Sequence, residues 1–102
     1  MKTFQDLTFE PHPCAIALKN AYAGHTDIDP YIKEMFNATQ AILEFSNGYG
    51  ISVVCGVQFY SNGHDTYEVC DLYQGNSHYG HVRGWLSADE VTLVMKEIQS
   101  RK

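Results

Sequence analysis

The chain lacks three features of membrane and secreted proteins. It has no run of about eighteen apolar residues, the length that a membrane-spanning helix requires. Its start, Met1-Lys2, is followed by the polar residues Gln5, Asp6 and Glu10, where a secretory signal would have an apolar core. Its three cysteines show no Cys-x-x-Cys spacing. These absences predict a soluble protein in a reducing cytoplasm, with no membrane partner and with buried free thiols.

Positive charge is scarce as well. Seven Lys and Arg residues stand against twelve Asp and Glu residues, and the formal net charge is −5 with the histidines counted as neutral. The cations are scattered along the chain, whereas binding to a phosphate backbone needs a cluster of them on one face. Direct nucleic-acid binding is therefore not expected. The acidic residues form no run either, so a negative surface arises only if folding gathers them.

The length of the chain limits its architecture. It has 102 residues, of which 44% are apolar and 13% aromatic, a composition typical of a globular protein. This is enough for a single domain over residues 1–102 with one hydrophobic core. It is too short to surround a deep substrate cavity, so any active site would be shallow or shared between subunits.

The clearest structural signal is the stretch Leu43–Val54, where an apolar strand pattern is interrupted by Asn-Gly-Tyr-Gly and then resumes. Asn and Gly tolerate the positive φ angles of a tight hairpin turn. We predict an odd-length turn centred on residues 47–49, which places Leu43 on the same face as Ile51. A shift of one residue in the strand pairing would instead expose the large apolar side chains of one strand to water. This pattern predicts a second strand that continues to Phe59. It also leaves Tyr49 exposed in the turn.

A second hairpin is predicted to follow. Its turn covers residues 61–65, and its return strand over 66–73 alternates so that Val69 faces the core and Cys70 faces away. Cys55 and Cys70 then point to opposite faces, which argues against a disulfide between them.

Residues 78–86 predict a fourth strand at the sheet edge, interrupted by two glycines. An exposed edge of this kind can pair across the axis of a homodimer. A short initial strand or arm is expected over residues 3–9.

Helices are predicted before and after the strand region along the chain. Ser87 and Glu90 form a capping box ahead of an apolar stripe at helical spacing, which indicates an amphipathic helix to about Ser100. Residues 14–40 predict two short helices, the second starting at Asp29. The expected fold is α+β: an antiparallel β-meander of three to four strands, a C-terminal amphipathic helix, and the helical insert over 14–40 packed on the sheet.

No catalytic, cofactor-binding or metal-binding arrangement is recognisable. His78-x-x-His81 has the spacing of one pair of metal ligands, but structural zinc sites generally use two pairs. A nucleophilic cysteine needs a histidine or a helix terminus beside an accessible thiol, whereas the cysteines lie among apolar neighbours. These are Cys14, Cys55 and Cys70. Three carboxylates have the spacing of a polar strand edge, namely Asp65, Glu68 and Asp71.

Aromatic and charged side chains near the turns and the last strand predict a protein-binding surface instead. Tyr, Trp and Arg are the residues that most often supply the binding energy of protein interfaces. The candidates for partner contact are Tyr31, Tyr49, Tyr60, His64, Asp65, Tyr79, Arg83 and Trp85.

Three segments of the chain resemble a family of small, mostly uncharacterised tailed-bacteriophage proteins. They are the opening Lys2–Phe9 with His12-Pro13, the hairpin Phe45–Val54, and Tyr67–Val69 followed by the pattern of Leu86–Gln99. Together they cover about two-thirds of the chain.

The resemblance implies an accessory protein made inside the infected bacterium, in a class that includes inhibitors of host enzymes and of antiviral defence, anti-CRISPR proteins among them. The insert over residues 14–40 looks longer here than in the relatives, so a specialised contact surface could lie there. No catalytic residues are carried over. We therefore expect a non-enzymatic protein in the host cytoplasm that inhibits a host protein, such as a component of a CRISPR-Cas effector.

Two alternatives are left open. One is a binder or hydrolase of a nucleotide signal or another small molecule, with His64, Asp65, His78 and His81 around a pocket. The other is a structural component of the virion or of its assembly.

Overall fold

The chain folds into one antiparallel sheet with helices around it, as seen in the computed structural model. The structure describes the backbone of residues 1–102 and the side chains of residues 1–77 and 82–102. Over these residues the elements, in chain order, are a 3₁₀ helix Phe4–Asp6, β1 Glu10–Pro11, α1 Pro13–Ala21, α2 Pro30–Met35, β2 Thr39–Glu44, β3 Tyr49–Cys55, β4 Tyr67–Tyr73, β5 Asn76–Leu86 and α3 Ala88–Gln99.

The hairpin of β2 and β3 places Leu43 and Ile51 on the same face, as predicted, and the two residues lie directly opposite each other. Its turn comes one residue earlier than predicted. The Phe45 N–H donates to the Tyr49 carbonyl (2.7 Å), and the Gly48 N–H donates to the Phe45 carbonyl (3.3 Å). Gly48 closes this three-residue turn with a φ of +88°, a left-handed angle that glycine adopts without strain. Tyr49 is therefore the first residue of β3 and not part of an exposed turn.

The sheet has five strands in the order β1-β2-β3-β4-β5, so the predicted meander is confirmed, with β5 at one edge. Val53 lies opposite Val69, and Ser52 lies opposite Cys70. Because side chains alternate along a strand, Cys55 shares the face of Val53 while Cys70 lies on the other face. The cysteines are free.

Helix α3 covers the face of the sheet that carries Val53. Its start is the predicted capping box, in which the Ser87 hydroxyl accepts the Glu90 N–H (3.2 Å) and the Glu90 carboxylate accepts the Ser87 N–H (3.0 Å). The buried side of the helix packs on the sheet residues through Val91, Val94, Met95 and Ile98. Full burial of an aliphatic side chain contributes about 1.5–3 kcal/mol, so this layer dominates the core.

The N-terminal segment differs from the predicted strand. It forms a 3₁₀ helix whose Phe4 N–H donates to the Thr92 hydroxyl of α3 (3.0 Å). The Phe4 ring contacts Phe9 and Tyr67 at centroid distances of 5.7 and 5.1 Å. Aromatic packing beside the N-terminal half of α3 thus holds residues 4–6 in a 3₁₀ helix. The weak strand pattern of this segment gives no sign of that packing.

Both predicted insert helices are present, each with a side-chain cap and a proline at its first residue. His12 Nδ1 accepts the Cys14 N–H (3.0 Å) at the start of α1, and the Asp29 carboxylate accepts the Tyr31 N–H (2.8 Å) at the start of α2. The insert is held at the end of the sheet by the chain that follows β3. The contacts are His12 with the Phe59 ring (5.0 Å), and the Gln58 amide donating to the Met35 carbonyl (3.1 Å).

Strand β3 ends at Cys55, four residues before the predicted end. Val57 and Phe59 consequently do not continue the core face of the sheet, and they belong to a loop over residues 56–66. At the other end, β5 begins two residues before the predicted start of the fourth strand at residue 78. Gln74 and Gly75, with φ of +50° and +81°, form a two-residue turn, so β5 begins at Asn76.

Candidate functional site

The loop over residues 56–66 is ordered by its own side chains. The Ser61 hydroxyl is buried, donates to the Thr66 carbonyl (2.6 Å), and accepts the N–H groups of Gly56 (3.2 Å) and Gly63 (2.9 Å). Each of these bonds satisfies a backbone group that would otherwise need water. The loop therefore presents its outer residues from a fixed backbone.

Asn62 fixes the backbone of the two predicted polar candidates, His64 and Asp65. Its side-chain oxygen accepts the N–H groups of His64 (2.8 Å), Asp65 (3.0 Å) and Thr66 (3.1 Å), and its amide donates to the Asp65 carboxylate (2.7 Å). This is the local hydrogen bonding by which Asn favours turns. Both candidate residues are exposed.

The loop is joined to the end of β5 at a β-bulge. Tyr67 lies opposite Leu86 and Val69 opposite Arg83, so β5 carries one extra residue over this interval. There the Trp85 N–H donates to the Tyr60 carbonyl at 2.9 Å. Gly84 permits this approach, because a Cβ at that position would lie 2.3 Å from the Tyr60 Cβ.

Trp85 adopts a φ of +59°, in the left-handed region that a bulky side chain rarely occupies. Its side chain is not buried in return: Trp85 is 60% exposed and Tyr60 is 61% exposed. Tyr31, which is also exposed, is tied to the same loop because its hydroxyl donates to the Val57 carbonyl (3.1 Å). We refer to Tyr31, Tyr60, Trp85 and the loop 56–66 as the aromatic loop surface. Five of the predicted candidates lie on it, namely Tyr31, Tyr60, His64, Asp65 and Trp85.

Tyr49 does not belong to this surface, and its predicted exposure is wrong. It is half-buried at the opposite end of β3, with its ring 4.8 Å from the Tyr73 ring and 5.4 Å from the Arg101 guanidinium. The alternation that puts Ile51 on the core side puts Tyr49 there too. The turn is one residue earlier than expected, and this accounts for the error.

Arg83 is engaged within the protein. Its guanidinium forms an ion pair with Glu97 of α3, at 3.0 Å between Nη1 and Oε2. The hydrogen bond from Arg83 lowers the pKa of the Glu97 carboxyl, and a second cation, Arg101, acts in the same direction. Tyr79 lies outside the residues whose side chains are described.

The structure adds a buried charge that the sequence pattern does not reveal. Asp71, expected at a polar strand edge, is fully buried on the α3 side of the sheet opposite Ile51. Its Oδ2 lies 2.7 Å from Nη1 of Arg101, which also contacts Glu97 at 3.3 Å. The alternation of side chains between Val69 and Tyr73 already assigns Asp71 to the core face, so the burial of Asp71 could be predicted from the sequence. Its cation, thirty residues later in the chain, has no local signal.

Asn47 has a tertiary role that was not predicted. Its amide donates to the carbonyls of Ile98 and Arg101, each at 3.0 Å, so the hairpin turn caps the C-terminal end of α3. The Ile98 carbonyl also accepts the Arg101 N–H (3.2 Å), so the Asn47 amide adds to the hydrogen bonds that close the end of the helix. The turn residue is thus a structural cap as well.

The cysteine thiols and His12 lie in different surroundings. Burial raises the pKa of the Cys55 thiol, which keeps it protonated, and Cys14 is exposed on α1. Burial lowers the pKa of His12, whose Nδ1 already caps α1. Within residues 1–77 and 82–102, no group of three His, Cys, Asp or Glu side chains is placed to hold a metal ion. The His78 and His81 pair lies outside the described side chains.

Two surface depressions stand out among the described residues, and the side chains given for them include no histidine or cysteine. One of about 470 Å³ lies between the N-terminus and the β2–β3 turn, lined in part by Lys2, Asp6 and Glu44. The other, about 330 Å³, lies beside β1 and is lined in part by Glu10 and Ile42. The predicted pocket around His64 and Asp65 is not among them. Among the described residues, no helix has the length and apolar character to cross a membrane.

Comparison with known proteins finds no match to this chain among protein-family models, curated proteins or solved structures.

Proposed function

We propose that this chain is a non-enzymatic binding protein, encoded by a tailed bacteriophage, that inhibits a host protein by occluding one of its surfaces. A component of an antiviral defence complex, such as a CRISPR-Cas effector, is the target class that the sequence resemblance favours. The observation that carries the proposal is the exposed and strained Trp85, hydrogen-bonded through its backbone to the exposed Tyr60.

Strain at Trp85 favours a role in binding. A residue held in a sparsely populated backbone region costs about 1–3 kcal/mol, and such residues cluster at binding and switch sites. With 60% of Trp85 exposed, the free protein recovers little of that cost by burying the ring. A partner that covers the ring would recover it, because burial of an aromatic side chain is among the largest contributions to an interface.

The order of the loop favours tight binding. Ser61 and Asn62 fix the backbone through side-chain hydrogen bonds, so little conformational freedom is left to lose when a partner binds. Tyr60 and Trp85 are also rigid side chains with few rotatable bonds. The surface is thus preorganised, as occlusion of a competing ligand requires.

Charge favours a basic partner surface. The Glu68 carboxylate accepts the Tyr60 N–H (3.2 Å), and Asp65 is exposed on the same loop. Together with a net charge of −5, these carboxylates favour a target surface rich in Lys and Arg. Binding there would compete with whatever acidic ligand the target normally holds.

The test is affinity capture from lysate of the host bacterium with matched variants. Trp85→Ala and Tyr60→Ala alter the aromatic loop surface, whereas Leu93→Ala alters an equally exposed apolar residue on α3. A protein captured by the wild type and by Leu93→Ala, and lost with Trp85→Ala, supports the proposal. The purified target must then lose activity when the wild type is added and keep it when Trp85→Ala is added.

Capture that is equal for all four proteins would contradict the proposed surface. Turnover of a metabolite by the purified protein, with no captured target, would contradict the proposed function as a whole.

A further inference from the structure

Among the described residues, the face of the sheet opposite α3 carries the exposed side chains of Ile42, Glu44 and Val82, and we call it the open face. Strand pairing arranges its side chains in three rows that run across the strands. The rows are Gln40–Val54–Glu68, Ile42–Ser52–Cys70–Val82 and Glu44–Gly50–Leu72–Ser77.

The open face has the shape of a shallow apolar trough. At its margins Ile42 is 58% exposed and Val82 is 54% exposed, while Val54 and Leu72 on the central strands are buried. The middle of the central row has the small side chains of Ser52 and Cys70. Large exposed apolar residues in one cross-strand row mark a surface that gains free energy when it is covered.

The charged side chains of the open face are all carboxylates among the described residues. Glu10 lies opposite Gln40 and therefore shares this face with Glu44 and Glu68. The lysines and Arg101 lie on the helices or at the chain ends, and Arg83 is paired with Glu97 on the other side of the sheet. An occupant of the open face therefore meets an apolar centre with an acidic rim.

We infer that the open face binds an amphipathic helix of a partner protein, with an apolar stripe in the trough and Lys or Arg along its flanks. β2 to β5 span about 14 Å at a strand spacing of about 4.8 Å, which accommodates a helix about 10 Å in diameter. The same sheet already seats the 12-residue α3 on its other face. Opposite charge between the rim and the flanks of the helix fixes its position.

Charge decides between this occupant and a second copy of the chain. Pairing two open faces brings the acidic rims of the copies together, and the described side chains of those faces supply no cation to offset the repulsion, which is unfavourable. The trough residues lie outside the aromatic loop surface, and of the rim only Glu68 contacts it, by accepting the Tyr60 N–H.

The test is a fluorescence anisotropy titration with two labelled peptides of about 14 residues. One is a helix of Leu and Lys with a single apolar stripe, and the other has the same pattern with Glu in place of Lys. The protein is tested as wild type, Ile42→Lys and Val82→Lys on the open face, and Leu93→Lys on α3, where Leu93 is 64% exposed. The three variants change the charge equally and alter exposed side chains, so each should fold, as circular dichroism can verify.

We expect the Lys peptide to bind the wild type and Leu93→Lys alike, and Ile42→Lys and Val82→Lys roughly tenfold more weakly, which is about 1.4 kcal/mol. The Glu peptide should not bind. Amide resonances of Ile42, Ser52 and Cys70 should shift in the ¹⁵N spectrum on addition of the Lys peptide.

Equal weakening by Leu93→Lys would overturn the inference, since the attraction would then be general and not confined to the open face. Binding of the Glu peptide would overturn it as well, and so would a wild-type dimer in sedimentation velocity that Ile42→Lys dissociates. Trp85→Ala should leave the peptide titration unchanged. A failure of peptide binding alongside intact target capture therefore counts against this inference alone.

Discussion

The ion pair between Asp71 and Arg101 predicts an asymmetric response to mutation. Asp71 is fully buried, whereas the Arg101 side chain is 21% exposed and reaches the surface beside the Tyr49 ring. Arg101→Met therefore leaves a buried carboxylate without its arginine. Loss of one partner from a buried pair costs about 3–5 kcal/mol, and the lost contact with Tyr49 adds about 0.5–1 kcal/mol.

Asp71→Asn is expected to cost less, about 1–2 kcal/mol, because the freed guanidinium of Arg101 can turn to water. The double variant should be more stable than Arg101→Met alone, since it removes the buried charge. As a control, Arg83→Met breaks the exposed pair with Glu97, which is worth about 0–1 kcal/mol.

The assay is urea and thermal unfolding of the four variants. For a domain of this size each kcal/mol moves Tm by about 4–8 °C, so Arg101→Met should unfold at least ~12 °C below the wild type. Arg83→Met should lie within ~8 °C of the wild type. The reasoning is refuted if Arg101→Met costs no more than Arg83→Met, or if the double variant is less stable than Arg101→Met.

Three further predictions follow from the bulge, the thiols and the surface ion pair. Because φ is +59° at Trp85, the Trp85→Gly variant should be about 1 kcal/mol more stable than Trp85→Ala in urea unfolding. In an ordinary strand position, glycine is the less stable of the two. A Trp85→Ala variant at least as stable as Trp85→Gly would contradict the left-handed conformation. Alkylation followed by mass spectrometry should modify exposed Cys14 first and buried Cys55 last, and early modification of Cys55 would show that the core opens readily. The pKa of Glu97 is lowered first by the hydrogen bond from Arg83, so its small contribution to the free energy of unfolding is present above the ordinary carboxyl pKa and is lost as the pH falls through the folded pKa. The difference in stability between wild type and Arg83→Met at pH 7 should therefore shrink as the solution is acidified below the ordinary carboxyl pKa, and a difference that grows in acid would refute this reasoning.

Local chemistry made much of the fold predictable. The Asn-Gly turn, the Ser87 and Glu90 capping box and the helix start at Asp29 each need only neighbours within a few residues, and the structure has all three. The alternation of β2 to β4 is equally local, so the face on which each residue lies, including the opposite faces of Cys55 and Cys70, followed from it.

The predictions were wrong where contacts between residues distant in sequence determine the local structure. The predicted strand over residues 3–9 is a 3₁₀ helix because Phe4 packs on Phe9 and Tyr67 and bonds to α3. The extension of β3 to Phe59 fails because Ser61 and Asn62 organise a loop there. Neither competing interaction leaves a periodic pattern in the sequence.

For the candidate site, the sequence identified residue types suited to an interface. The tertiary structure determines which of them lie together on an exposed surface. It gathers Tyr31, Tyr60 and Trp85 around the loop 56–66, while Tyr49 is half-buried against the Tyr73 ring. A hydrogen bond between residues twenty-five positions apart produces the bulge that exposes Trp85.

By itself, then, the sequence determined the α+β class, the meander, the caps of its helices and a net negative charge with few cations. Only the tertiary structure decided that Asp71 is paired with Arg101, that Trp85 is strained, and that one face of the sheet stays open between acidic margins. The reason is physical. Turns, caps and alternation are set by neighbours along the chain, whereas ion pairs, bulges and uncovered faces depend on which strands and chain ends meet in space.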